Sequence, residues 1–132
     1  MSGACTIEEI ESPWTTVTTK IASDDTVPIT GWMPCAGLKE LRTTFEIARL
    51  DGDITLSPGV QFASQPDSPG TVVAELGTFK DAVDVYYGAA WKDVSTQSEA
   101  NQLFRLVWVV KNASTTNLTS ARVAGTTTLR WS

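Results

Sequence analysis

Few residues of this chain could do chemistry, and they fall into four small groups. Asp51-Gly52-Asp53 places two carboxylates around a glycine, a spacing that could offer oxygens to a calcium ion. The further carboxylates and closing glutamate of a full calcium loop do not follow, so a hairpin turn is the simpler account. Asp81, Asp84 and Asp93 could supply a carboxylate pair of the kind that hydrolyses glycosides, although nothing in the spacing sets two of them across a cleft. Tyr86, Tyr87 and Trp91 form an aromatic cluster beside Gly88-Ala89-Ala90, the type of surface on which a sugar ring stacks. Cys5 and Cys35 are too few and too far apart for a zinc site or a redox pair. They would be bonded only in an oxidising compartment, and two separate thiols is the simpler expectation.

The chain has no histidine. That removes Ser-His-Asp and Cys-His nucleophile systems and the commonest ligand of zinc, copper and non-haem iron. No catalytic residue, cofactor or metal is therefore expected. Net charge is −5 with a pI of about 4.6, and the ten basic residues are scattered. Such a balance disfavours nucleic acid, which needs a concentrated basic surface, and it disfavours anionic membranes. The start, Met1-Ser2-Gly3-Ala4-Cys5, has neither a positive segment nor an apolar one, so no signal peptide is expected and synthesis in the cytoplasm is. The sequons at Asn112 and Asn117 then read as chance.

What must position these groups is a set of strands. At 132 residues the chain fits one domain with one core, and its 42% hydrophobic and 19% charged residues are those of a folded protein. The segment Gln102–Asn112 carries the clearest pattern. Phe104, Leu106, Trp108 and Val110 alternate onto one apolar face, while Leu103, Arg105, Val107, Val109 and Lys111 share the other. The second face is too apolar for open solvent and too charged for a core, which predicts that it is half covered by a loop, a second sheet or another subunit.

Further strands are predicted over Trp14–Ile21, Leu41–Leu50, Ile54–Leu56, Val60–Ala63, Thr71–Leu76, Val83–Tyr87 and Thr119–Trp131. Asp51-Gly52-Asp53, Ser57-Pro58-Gly59 and Gln65–Gly70 read as turns between them. In the last strand Ala121, Val123, Thr127, Leu129 and Trp131 share a face, and Gly125 marks a bulge or close backbone approach. By simple alternation Arg42 and Arg49 fall on opposite faces. The polar stretch Lys92–Asn101 suits one short helix. The expectation is an all-β chain: a single antiparallel β-sandwich, jelly-roll-like, over residues 14–132. An acidic N-terminal arm, residues 1–13, precedes it, and at most two short helices accompany it.

An acidic, histidine-free, threonine-rich sandwich from Trp14 to Trp131, with such an arm and the strand Arg105-Leu-Val-Trp-Val-Val-Lys-Asn112, resembles the small structural proteins of tailed-bacteriophage virions. Head decoration, or cement, proteins are the nearest kind. The resemblance implies a non-enzymatic symmetric oligomer, often a trimer, in the virion, whose partners are itself and a capsid protein. The arginines and aliphatics that such contacts favour would be Ile7 and Ile10 of the arm, Leu103, Arg105, Val107 and Val109 of the mixed face, and Arg122 and Arg130. The alternative function is a carbohydrate-binding module using Tyr86, Tyr87 and Trp91.

Overall fold

The computed structural model describes residues 6–20, 23–66, 69–87 and 90–132, with residues 69–74 described as backbone only. The strands are β1 (Thr6–Thr19), β2 (Asp24–Pro28), β3 (Met33–Pro34), β4 (Leu38–Asp51), β5 (Ile54–Ala63), β6 (Pro69–Glu75), β7 (Asp84–Tyr86), β8 (Lys92–Asp93), β9 (Leu103–Asn112) and β10 (Thr119–Trp131). One short helix, α1 (Ser95–Ala100), stands where the polar stretch predicted it.

All pairings are antiparallel, and they build two sheets. The first has the order β1-β10-β4-β7, with β8 also on β4. The second has the order β2-β9-β5-β6, with β3 also on β9. Setting aside the two-residue strands β3 and β8, the eight main strands in chain order interleave 1-8-3-6 against 2-7-4-5. That is the double Greek key of a jelly roll, as the sequence predicted.

Alternation on the inner faces fills the space between the sheets. Phe104, Leu106, Trp108 and Val110 of β9 are buried, and so are Ala121, Val123, Thr127 and Leu129 of β10. One half of the core gathers Leu38, Leu41, Val60, Phe62, Phe104, Leu106 and Leu129, and the other gathers Val17, Phe45, Ile47, Ile54, Leu56, Trp108 and Val123. Gly52, at a φ of 92°, turns β4 into β5 as its Asp-Gly signal implied.

Three expectations need correction. The arm is, from Thr6 onward, the first half of β1: Thr6 to Ser12 pair with Trp131 back to Gly125, and Ile10 packs on the core. Acidic residues on an edge strand keep the period of two without adding apolar signal, so the strand is invisible until β10 is placed beside it. Ser57-Pro58-Gly59 is no turn, since β5 runs straight through it with Pro58 opposite Trp108. Arg42 and Arg49 share the outer face, because an extra residue, Ala48, shifts the register between Ile47 and Arg49. The strands β2 and β3 were not foreseen.

Candidate functional site

The mixed face of β9 is half covered, as its composition implied, and part of the cover is now visible. The guanidinium of Arg105 lies 4.4 Å from the centroid of the Trp32 ring, and its Nε donates to Gln61 Oε1 at 2.8 Å. Lys111 reaches the Phe79 ring at 4.1 Å. Val107 is fully buried, while Leu103 and Val109 are half-buried. Val107 is therefore core rather than contact surface, and Leu103, Arg105 and Val109 remain partly accessible.

Arg122 and Arg130 belong to the outer face of the other sheet, on the opposite side of the sandwich. The guanidinium of Arg130 pairs with Glu40 and lies 4.3 Å from the centroid of Trp91, which Arg42 also approaches at 4.5 Å. Arg122 lies 5.9 Å from the centroid of Trp14. Ile7 shares this face with Arg130 and is 58% exposed, whereas Ile10 points inward.

The aromatic trio does not present one stacking surface. Tyr86 packs its ring on buried Phe45, with centroids 5.0 Å apart, and its hydroxyl donates to the Ala82 carbonyl at 2.5 Å. Burial, with the Asp84 and Asp81 carboxylates adding to it, pushes its phenol above the ordinary range. Trp91 is held by the two arginines. Tyr87 alone is open, at 80% exposure.

The carboxylates have local tasks. Asp51 accepts from Arg49 Nε at 3.0 Å and from Ser120 Oγ at 3.3 Å. Asp84 accepts from the Val85 amide, and Asp93 from the amide and hydroxyl of Ser95. Those last two bonds hold the Asp93 carboxyl below its usual range. Among the described residues no group of three or more histidines, cysteines, aspartates or glutamates could hold a metal ion. Cys5 lies outside the described residues, and the free Cys35 thiol donates to the carbonyls of Ser98 and Asn101, both at 3.4 Å. Asn112 is buried with its amide bonded to the carbonyls of Lys20 and Asn117, which closes the first sequon to modification.

Sequence reasoning missed one feature of the surface, a shallow hollow on the outer face of the β1-β10-β4-β7 sheet. Its lining is Trp14, Thr44, Glu46, Val85 and Thr126 around Ala124 and Gly125, with Phe45 beneath. Pro13 and Trp14 together oppose the single residue Ala124, since the register steps from Ser12–Gly125 to Thr15–Val123. A bulge of this kind re-aims a side chain. The signal for it was Pro13 within a β-rich run, which only an edge or a bulge accommodates.

No protein-family profile matches this sequence. No curated protein matches it either. Among solved structures the fold is similar to a chain in the structure of infectious bursal disease virus, Gx strain. The likeness covers 98% of this chain at a TM-score of 0.57 and 10% identity. This chain spans about a third (32%) of the length of that one, so the shared feature is the sandwich itself. Among the described residues no helix is long and apolar enough to cross a membrane.

Proposed function

We propose that this chain is a non-enzymatic structural protein of a virus particle, of the capsid decoration or cement type of tailed bacteriophages. In this reading it is made in the host cytoplasm and assembles as a symmetric oligomer, a trimer being the simplest ring, that binds and strengthens the shell. The observation that carries the reading is the double Greek key itself. Its strand order is one that viral shell domains use, and nearly the whole chain follows a chain of a virus structure.

Two surface features support assembly. The accessible remainder of the β9 face (Leu103, Arg105, Val109) and the opposite face with Ile7, Arg122 and Arg130 lie on different sides of the sandwich. Two unlike patches on opposite sides suit a head-to-tail contact, which closes into a ring when the rotation permits. Asp51 and Glu40 are engaged in ion pairs, and Asp84 and Asp93 in local turns.

Native mass spectrometry of the full chain tests the reading. A discrete oligomer weakened by Arg105→Ala or by Arg130→Ala is expected. A strict monomer at every accessible concentration, failing also to bind virion shells, overturns it.

A further inference from the structure

We propose that the hollow beside Trp14 is a binding site for a neutral hexopyranose unit of a glycan. The hollow shares its sheet face, and Arg122, with one of the contact patches above, but the sugar reading does not depend on the virion reading.

Three observations converge on it. The first is the aromatic wall: Trp14 is a large ring at 43% exposure, lifted onto this face by the two-residue bulge and backed by the Arg122 guanidinium. An exposed indole with fixed orientation offers a flat apolar surface, which the C–H face of a pyranose matches. The second is the floor. Gly125 is required there, because a Cβ would stand 2.9 Å from the Thr44 carbonyl oxygen and 3.1 Å from Phe45 Cβ. With Ala124 next to it, the sheet has a low place between taller neighbours on β1 and β7.

The third observation concerns the polar groups on the rim. Glu46 and Thr126 line the hollow, and neither side chain has a hydrogen bond or ion pair among the described residues. A free carboxylate accepts from vicinal hydroxyls, and a threonine hydroxyl both donates and accepts. Together they are the few convergent polar groups that orient a ligand in a mainly apolar site. Opposite Trp14 stands Val85, 39% exposed, and alternation sets the 80% exposed Tyr87 on the same side one step further along.

Charge and size narrow the ligand. Glu46 lines the hollow itself whereas the Arg122 guanidinium stands behind the Trp14 ring, so a neutral sugar fits the rim better than a sialic or uronic acid. The volume of about 250 Å³ falls below the range of drug-sized pockets and holds one ring, with the rest of the glycan over Tyr87 or in solvent. One ring in an open hollow implies a dissociation constant on the order of millimolar for a short oligosaccharide.

Saturation-transfer NMR on the full chain with cellotriose, maltotriose and lactose tests the proposal. Transfer to one ring of at least one probe is expected. Trp14→Ala should weaken that binding by about tenfold or more, as for a central aromatic anchor, with an unchanged circular dichroism spectrum. Glu46→Gln should weaken it less, and Trp14→Phe should keep most of it. Transfer from none of the three probes, or transfer that survives Trp14→Ala, overturns the assignment. If Trp14→Ala alters the fold, the saturation-transfer readout moves to Glu46→Gln and Thr126→Val. Binding indifferent to both of those also overturns it.

Discussion

Thr43 and Thr127 face each other across β4 and β10 with their hydroxyl oxygens 2.8 Å apart, inside the sandwich rather than on its surface. Thr19 and Thr119 repeat the arrangement across β1 and β10 at 3.0 Å. Threonine suits a strand backbone, and two buried hydroxyls satisfy one another where no water reaches. Replacing one member by valine leaves the other unpaired. Thr43→Val or Thr127→Val should each cost about 1–3 kcal/mol, while the double variant should recover most of that loss. A urea-denaturation double-mutant cycle measures it, and strictly additive costs would show that the pair is not coupled.

Trp108 is 1% exposed, with Phe45 edge-on at 5.8 Å, and its indole N–H has no partner among the described residues. Trp108→Ala should destabilise by about 3–5 kcal/mol, the usual cost of truncating a buried aromatic. Trp108→Phe should cost much less, because it also removes an unpaired buried donor. Equal losses in the two variants would mean that the indole N–H is bonded in solution.

Most of the fold was legible wherever one strand carries its own apolar face. Phe104 to Val110 and Ala121 to Leu129 declare their inner side by alternation alone. What stayed hidden depends on partners distant in sequence. The strand β1 gets its order from β10, more than a hundred residues later, and its own residues Glu8, Glu9 and Glu11 read as solvent-facing. Pro58 looked like a break, yet its missing N–H costs little where its carbonyl accepts from Leu76. The aromatic trio was adjacent in sequence, but alternation and a loop send Tyr86 inward, Tyr87 outward and Trp91 onto two arginines. The outward turn of Trp14 is not legible in the sequence, because the bulge that produces it exists only against Ala124.

Gly125 is fixed by its neighbours. Gly125→Ala forces the added carbon against the Thr44 carbonyl, so a backbone shift should cost about 1–3 kcal/mol. Ala124→Ser one residue earlier should be close to neutral. Thermal melts of both variants check the contrast.

Two groups give the stability a pH dependence. Burial raises the Cys35 thiol above its ordinary range. Its contribution is complete below the pKa of an unfolded cysteine and is lost as pH rises towards the folded value. In the native protein Cys35 should resist iodoacetamide at mildly alkaline pH and react after unfolding. For Asp93 the Ser95 bonds lower the carboxyl pKa, so its contribution is present above the unfolded carboxylate value and lost as pH falls through the folded one. Asp93→Asn should flatten the acid limb of the stability curve. A limb unchanged by that substitution would assign the acid sensitivity to other carboxylates.

The outer edge of β1 decides between folding and uncontrolled association. It is a fourteen-residue strand at the end of its sheet, rich in threonine, with one side unpaired among the described strands. Such an edge is a template for another chain. Glu8, Glu9 and Glu11 would bring like charges together in any self-pairing, Pro13 lacks a donor, and the bulge beside it breaks the register. Removing the charges by Glu8→Thr, Glu9→Thr and Glu11→Thr together should leave the fold intact and produce larger species by light scattering. Deleting residues 1–12 should act differently. It strips the pairing of Thr6–Ser12 and the core contact of Ile10, so the melting transition should fall clearly. Ile10→Ala alone accounts for about 1–2 kcal/mol of that loss at a half-buried site. A truncated chain that melts like the full one would show that this half of β1 adds nothing to the fold. Its pairing with β10 would then be replaceable by a neighbouring subunit.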